Sequence, residues 1–445
     1  MGENSTNISQ KVLNRLKGDK VIWIIVFFLS LISLLVVYSS SSSLAFKRHL
    51  SNFSIFFNQL KFVILGWAVM FACYKVPVKW YRILSIPSLW LTIGLLILTI
   101  LVGKNINGAQ RGLSLGGFTF QPSELAKVTV VLYLARIIEK NRIEDFKKFS
   151  INILAPLGIL CVLIGWGSIS MALLVGIIAF VVLIVTGVQT KFILRSGGIL
   201  GILVVVLLLA HFSTGGKFLP RLKTATARIE RFFEKDKSGD TKELTKEEIQ
   251  SIADEHLQED MARIAVVTGK ITGKGPGKST QRFILPHPYS DFVYSLIVEE
   301  YGLLFGLIVI ILYMQLLYSC IKLSMVCKTV FSSVTVSGIG FGIVFQAFLH
   351  ILVNVGILPI TGHTLPLISL GGSSLIIIMG SIGIILSVSR TRESVEEEER
   401  EQKREEREKR LEQRRLESAK IAEEESENNA ERVEYSENET NEDNI

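Results

Sequence analysis

Long apolar runs alternate with short polar links along most of the chain. A membrane-spanning helix needs roughly 17–25 mainly apolar residues, and only helices and closed barrels satisfy their backbone hydrogen bonds inside lipid. Ten such spans are predicted, at roughly 21–38, 54–74, 83–102, 122–138, 151–166, 169–187, 193–213, 291–320, 331–353 and 371–389. The pattern therefore predicts an all-α polytopic membrane protein with about ten transmembrane helices.

The basic residues of the short links set the orientation. Links on the side of the N-terminus carry 15 Lys and Arg, whereas the short links on the other side carry Lys47, Arg48, Lys104 and Arg111. Cytoplasmic links hold the excess of basic residues, so both termini are predicted to be cytoplasmic. The resulting segments are an N-terminal stretch 1–20, a membrane domain 21–389 and a tail 390–445.

The link 214–290 is the long exception and is predicted to be extracytoplasmic. Its two ends are basic, through Lys217, Arg221, Lys223 and Arg228 and then Arg263, Lys270, Lys274, Lys278 and Arg282. Such arms suit an anionic ligand near the membrane surface. Contact with lipid phosphates explains them equally well.

Charge and composition exclude several classes of protein. The net charge of +7 hides an acidic tail, because residues 390–445 hold 12 Lys and Arg against 21 Asp and Glu. Apolar residues make up 49% of the chain, and its four cysteines show no metal-ligand spacing. A soluble single-core enzyme, a secreted disulfide scaffold and a DNA-binding module are excluded, and nothing in the cysteine spacing implies a zinc site.

Polar residues at the start of the fourth span form the first candidate site. Pro122 can open a helix, and Glu124 and Lys127 then share one face of it. Gln121, Ser123 and the nearby Arg111 extend this polar group. It is either an ion pair that fixes helix packing or a polar site that opens to the outer face.

The second candidate is the junction before the eighth span, with His287, Ser290 and Asp291. Ser290 or Asp291 is expected to cap that helix, and a capping role alone would account for the carboxylate. Glu299 and Glu300 are expected about 12 Å further along the helix, too deep for surface charge, with one of them protonated or paired.

The third candidate is the link 354–374, which enters the last span through small residues that include Ser373 and Ser374. Small residues let the backbone approach a ligand closely, although tight packing explains them nearly as well. No phosphate-binding loop, dinucleotide fingerprint or nucleophile elbow occurs in the chain. Any chemistry must therefore rest on carboxylates and cations.

Three stretches resemble the SEDS family (shape, elongation, division and sporulation), and they occur in the family's order. They are NGAQRGLSLGGFTFQPSELAK at 107–127, GKITGKGPGKSTQRFILPHPYSDFVYSLIVEEYG at 269–302, and NVGILPITGHTLPLISLGGSS at 354–374. The middle stretch is more similar to the family's division members than to its elongation members. Two positions depart from the family: Gly112 replaces the usual Trp, and Ser168 stands where a carboxylate is frequent.

The resemblance implies a peptidoglycan glycosyltransferase that polymerises lipid II at the outer face of the plasma membrane during division. Asp291 matches the family's essential aspartate and is the candidate base. The candidates for stabilising the leaving pyrophosphate are Lys127, oriented by Glu124, together with Arg111 and the basic arms of 214–290. The remaining candidate substrate contacts are Gln121, Ser123, Lys274, Arg282, His287, Ser290, Ser373 and Ser374.

The resemblance also implies a class B penicillin-binding protein transpeptidase and other division proteins as partners, at the septum. A divalent cation could assist the departing diphosphate, although no ligand set in the sequence establishes one. The alternatives are a lipid II flippase, an elongation-type polymerase, and a non-catalytic scaffold. A flippase needs polar residues across the whole bilayer, whereas here they concentrate at the outer end.

Overall fold

The computed structural model describes residues 17–48, 52–106, 109–115, 118–140, 145–198, 246–285 and 288–393, together with 406 and 410. The chain divides into two compact units, Met1–Arg390 and Thr391–Ile445. The candidate site lies in the first unit. His287 and most of the acidic tail fall outside the described residues, so the expectations for them stay predictions.

Helices make up most of the described chain. They are α1 Lys20–Arg48, α2 Asn52–Lys75, α3 Val78–Val102, α4 Pro122–Lys140, α5 Phe146–Gly167, α6 Ile169–Val185, α7 (residues 190–198), α8 Lys246–Gly269, α9 Val293–Tyr301, α10 Leu303–Met325, α11 Val330–Asn354 and α12 Gly372–Glu393. Within the described ranges, seven helices are long and apolar enough to cross a membrane. The all-α polytopic fold class is confirmed.

The two helices nearest the C-terminus form the centre of the helical assembly. In α12, 78% of the apolar stretch that could cross the membrane is buried inside the protein, whereas the corresponding share in α2 and in α5 is 28%. Helix α11 packs against α4, α6 and α10. A Cβ at Gly338 would come within 2.6 Å of Val131, so the missing side chain lets α11 approach α4 closely. The centre is therefore built by the segments that flank the third candidate stretch.

The link between α3 and α4 is more ordered than its glycines suggest. It forms a three-stranded antiparallel sheet of β1 Lys104–Ile106, β2 Ala109–Leu115 and β3 Phe118–Phe120. Ser114 pairs with Thr119, and Lys104 pairs with Gly112. Strand β2, which carries Arg111, packs against α3, α4 and α5.

The predicted eighth span, 291–320, is wrong as one helix. It is divided into α9 and α10 because Gly302 has φ +87°, a left-handed conformation that ends the first helix. A side chain at Gly302 would also collide with the Ile271 carbonyl oxygen at 2.2 Å. Glu299 and Glu300 therefore lie in a short helix beside the long link, rather than inside a spanning helix.

Candidate active site

The ion pair between Glu124 and Lys127 is buried at the beginning of α4. Both side chains are almost fully enclosed, at 3% and 9% exposure, and Lys127 Nζ lies 2.8 Å from Glu124 Oε2. A carboxylate in the first turn of a helix is also favoured by the helix dipole. The Ser374 hydroxyl donates to the same Glu124 oxygen at 2.9 Å, which joins the start of α12 to the start of α4.

Gln346 of α11 is a member of this cluster that the sequence analysis missed. Its Oε1 accepts a bond from Lys127 Nζ, and its Nε2 donates to the Thr364 carbonyl at 2.9 Å. A signal was present in the sequence, because Gln346, His350 and Asn354 follow one another at helical spacing within an apolar run. Residues four apart share one face of a helix.

That polar face of α11 continues to the second candidate residue. His350 Nδ1 bonds to the His363 carbonyl at 2.7 Å. One turn further on, the Asn354 amide donates to the main-chain carbonyl of Asp291 at 3.0 Å. One face of α11 therefore contacts both the Glu124–Lys127 pair and the turn that carries Asp291.

Asp291 is half-buried in a turn just before α9. Ser290 Oγ donates to Asp291 Oδ1 at 2.8 Å. The expectation that Ser290 or Asp291 caps the following helix is wrong, because Phe292 occupies the N-cap position and makes no side-chain cap bond. The Asp291 side chain therefore does not cap α9, so capping does not explain why a carboxylate stands at this position.

The segment 361–374 joins the two groups. Ser369 Oγ donates to the Ser290 carbonyl at 2.8 Å, and Leu370 N donates to the Tyr289 carbonyl at 3.0 Å. The same segment supplies the Thr364 carbonyl to Gln346 and the Ser374 hydroxyl to Glu124. The first and third stretches of the sequence motif thus meet the second at one end of the helices.

Other candidate residues lie around this cluster. Gln121 accepts the Glu124 amide through its main-chain carbonyl at 3.1 Å, and Ser373 is buried beside Ser374. Ser123 lines a groove with Ser168, Leu96, Ile100 and Leu163. Arg111 is placed by its backbone in β2, and its side chain lies outside what the structure describes.

Ser168, at the position where the family often has a carboxylate, has a structural role. It is the N-cap of α6, and its hydroxyl accepts the Met171 amide at 3.4 Å. Ser170 donates to the Thr361 carbonyl at 3.3 Å, so this helix end also reaches the 361–374 segment.

Lys274 and Arg282 are held by carboxylates of α9. Lys274 Nζ lies 2.6 Å from Glu299 Oε1, which confirms that one of the two glutamates is paired. Arg282 lies 3.9 Å from Glu300 and donates to the Ser39 carbonyl at 3.1 Å. We call Lys274, Ser279, Thr280, Arg282, Glu299, Glu300 and Ser39 the latch cluster, because they fasten the long link to α9 and α1.

The two glutamates of the latch cluster have opposite electrostatic environments. Burial raises the pKa of Glu299, but bonds from Lys274, Ser279 and Thr280 outweigh it, so its pKa lies below the ordinary value. For Glu300 burial dominates over the bonds from Ser39 and the link backbone, and its pKa is raised. Helix α9 is not one of the helices that are long enough to span the membrane.

A metal site is not built by the side chains that the structure describes, since no group of three or more His, Cys, Asp and Glu lies close enough to hold an ion. A contribution from a divalent cation stays a prediction, and no step proposed below depends on it.

Known proteins resemble this chain along most of its length. Residues 19–394 match the family described as cell cycle protein, named for FtsW, RodA and SpoVE. A probable peptidoglycan glycosyltransferase FtsW from Geobacter sp. (strain M18) is 28% identical over 386 residues, which cover 85% of this chain and 98% of the relative.

Two solved structures share the fold. One is the structure of a peptidoglycan synthase complex, described as showing structural coordination of polymerization and crosslinking. It superposes with a TM-score of 0.64 at 25% identity, covering 84% of this chain and 98% of that one. The rod shape determining protein RodA of Thermus thermophilus superposes with a TM-score of 0.59 at 23% identity, covering 85% and 99%.

Proposed function

The chain belongs to the cell cycle protein family of FtsW, RodA and SpoVE, and on that premise we propose a peptidoglycan glycosyltransferase of cell division in which Asp291 is the general base. It is a multi-pass membrane protein. Its substrate is lipid II, a disaccharide peptide carried on undecaprenyl pyrophosphate. The product is a glycan strand.

One observation carries this proposal. The half-buried Asp291 turn and the buried Glu124–Lys127 pair are bonded to the same segment, 361–374. Glu124 and Ser374 lie in the first turns of their helices, and Asn354 is the last residue of its helix. Glycosyl transfer from a diphosphate needs a base and a cation within one substrate's reach, and this end of the helices supplies both.

In the reaction, the C4 hydroxyl of one lipid-linked disaccharide attacks the anomeric carbon of another. The new C–O bond forms as the bond from that carbon to the phosphate oxygen breaks, and undecaprenyl pyrophosphate leaves with the electron pair. Asp291 takes the proton of the attacking hydroxyl. A positioned base typically contributes about 10²–10⁴-fold to the rate.

Lys127 is the proposed contact for the leaving pyrophosphate. An ammonium group has three N–H donors, and two of those of Lys127 point to Glu124 and Gln346. Among the described residues the third has no partner, and we assign it to a phosphate oxygen, with Arg111 of strand β2 as the proposed second cation. Gln121, Ser123, His287, Ser290, Ser373 and Ser374 complete the proposed substrate contacts.

Lys274 and Arg282 are left out of the proposed substrate contacts. Their cationic groups lie near Glu299 and Glu300 in the latch cluster, at 2.6 and 3.9 Å, so both side chains are engaged within the protein. Their proposed role is to hold the long link in place.

The proposed orientation places this end of the helices outside the cell and both termini in the cytoplasm, following the basic residues of the short links. The proposed location is the division septum. The proposed partner is a class B penicillin-binding protein transpeptidase, supported by the resemblance to a peptidoglycan synthase complex in which polymerization and crosslinking are coordinated. Other division proteins complete the assembly.

The test is polymerisation of fluorescent lipid II by the purified protein with its partner transpeptidase. Asp291→Asn keeps the shape of the side chain and removes its basicity, so polymer formation should fall by at least about 10²-fold with unchanged expression and melting temperature. A fully active Asp291→Asn variant would remove Asp291 from the mechanism.

Lipid II transport is the rival activity, and the inner cavity argues against it. A cavity adjoins the ion pair. Past Glu124, Lys127 and Gln346 its walls are mainly apolar, with Ile178, Ile339, Ile343, Ile377 and Ile378. Passage of a sugar headgroup needs polar side chains across the bilayer. Liposomes in which the wild type moves lipid II but makes no polymer would favour transport.

A further inference from the structure

Three consecutive main-chain carbonyls at the Asp291 turn are bonded by partners from distant parts of the chain. The Tyr289 carbonyl accepts from Leu370 N, the Ser290 carbonyl from Ser369 Oγ, and the Asp291 carbonyl from Asn354 Nδ2, at 3.0, 2.8 and 3.0 Å. Two of these donors are side chains. Two of the three bonds that hold the turn can therefore be removed one at a time by mutation.

Asn354 also replaces the missing cap of α9. The first N–H groups of a helix have no partner within the helix, and Phe292 at the N-cap has no side-chain acceptor. Asn354 Oδ1 accepts the Ser295 amide at 3.0 Å and the Ser295 hydroxyl at 2.8 Å. One amide therefore fixes both the residue before α9 and the first turn of that helix.

Asn354 is itself rigidly placed. It is fully buried at the end of α11, and its Nδ2 also donates to the His350 carbonyl one turn earlier. On the same helix face, Gln346 contacts Lys127. Because a helix rises by about 1.5 Å per residue, α11 sets a spacing of roughly 12 Å between the two polar contacts. The spacing is maintained by main-chain hydrogen bonds of the helix.

We propose that Asn354 and Ser369 are positioning residues that hold the Asp291 carboxylate at a fixed distance from Lys127. This inference rests on the proposed function, in which Asp291 is the base. Neither residue touches substrate. Asn354 acts on the Asp291 backbone directly, and Ser369 acts through the neighbouring Ser290 carbonyl. Displacing a reacting group by about 1 Å can cost on the order of 10²-fold in rate.

The test measures kcat and KM for lipid II polymerisation together with the melting temperature. Asn354→Ala should lower kcat by about 10- to 100-fold and leave KM within about three-fold, because the proposed pyrophosphate contacts Lys127 and Arg111 lie outside the turn that Asn354 holds. Ser369→Ala should give a smaller fall in kcat, and Ser369→Thr, which keeps the hydroxyl, should recover most of it.

Ser295→Ala is the matched control. It removes the hydroxyl bond to Asn354 and leaves every bond to residues 289–291 in place, so its kcat should stay within about two-fold of the wild type. Should Asn354→Ala fail to fold, the comparison of Ser369→Ala with Ser369→Thr decides the question.

Three results decide between this inference and the function it rests on. If Asp291→Asn is inactive while Asn354→Ala and Ser369→Ala keep full kcat, the positioning role is wrong and the proposed base stands. If Ser369→Ala and Ser369→Thr lose kcat equally, the hydroxyl bond to the turn does not matter and the role of Ser369 is wrong. An active Asp291→Asn variant overturns the proposed function, and the positioning role with it.

Discussion

Asp291 and Glu299 are close in sequence, yet their surroundings differ in a way that separates chemistry from architecture. Glu299 is fully buried, and its carboxylate accepts bonds from Lys274 Nζ, Ser279 Oγ and both the amide and the hydroxyl of Thr280. Asp291 is half-buried, its carboxylate accepts a bond from the neighbouring Ser290 Oγ, and its main-chain carbonyl accepts one from Asn354 Nδ2 of α11. The protein thus surrounds one carboxylate with donors and fixes the backbone that carries the other.

The two lysines repeat the contrast. Lys274 is part of the link, where it pairs with Glu299 and bonds to Thr280. Lys127 is buried within the helices, beside a cavity and at the meeting point of α4, α11 and α12. Charge alone does not distinguish a lysine that contacts substrate from one that stabilises the fold. The ion-pair partner of the lysine and the presence of a cavity beside it are needed to tell the two apart.

The largest effect is expected from substituting the two lysines separately. Lys127→Met should reduce polymerisation by about 10²–10³-fold, the usual loss when a preorganised electrostatic contact is removed. Lys274→Met should keep the rate per folded molecule within about five-fold of the wild type and lower the melting temperature. Polymer yield and thermal unfolding in detergent measure both.

Lys127→Met leaves Glu124 as an unpaired buried charge, which is itself costly. The control is Glu124→Gln combined with Lys127→Met, which should recover the melting temperature without recovering activity. An inactive Lys274→Met variant of normal stability would return Lys274 to the substrate site.

An intermediate effect is expected within the latch cluster. Glu299→Gln should lower the free energy of unfolding by about 1–3 kcal/mol, the cost of leaving a buried hydrogen-bonding partner unsatisfied. Glu300→Gln should cost less, because burial raises the pKa of Glu300, so its surroundings stabilise a carboxylate less than those of Glu299 do. Thermal unfolding of the two variants at neutral pH measures the difference.

Glu299 and Glu300 should contribute to stability with opposite dependence on pH. The stability difference between wild type and variant should therefore change in opposite directions for Glu299→Gln and Glu300→Gln. The stabilisation from Glu299, whose pKa is lowered, is present above its unfolded pKa and is lost as the pH falls through its folded pKa. For Glu300, whose pKa is raised, stability increases as the pH falls from its folded pKa toward its unfolded pKa. Equal losses for both variants at every pH would contradict the assigned environments.

The smallest effect is expected from deleting residues 400–445. This acidic stretch belongs to the second compact unit, and none of the proposed site residues lies in it. Polymerisation in vitro should be unchanged. A loss of activity in the shortened protein would give the tail a part in synthesis.

Much of the fold follows from the sequence, because apolar runs of sufficient length have few alternatives in a membrane. The start of α4 at Pro122 and of α11 near Phe331 lie within one or two residues of the predicted positions. The SEDS family, drawn from three motif stretches, is confirmed. Local composition and spacing were sufficient for these features.

The features that the sequence analysis missed depend on contacts between distant segments. The break at Gly302 follows from the approach of the Ile271 carbonyl, and the cap of α9 is supplied by Asn354 from another helix. The pairing of Lys274 with Glu299 likewise joins the link to α9. A local sequence pattern does not identify a partner that lies in another element. The sequence analysis therefore interpreted Lys274 as a substrate contact and did not predict its pairing with Glu299.

The central claim is that Asp291 serves the reaction and Glu299 serves the structure. The most direct measurement is the polymerisation rate per folded molecule of Asp291→Asn and Glu299→Gln, determined side by side with their melting temperatures. The account predicts that Asp291→Asn loses the rate and keeps its stability, while Glu299→Gln loses stability and keeps the rate of its folded fraction. The reverse pattern, or equal loss of rate in both variants, would contradict it.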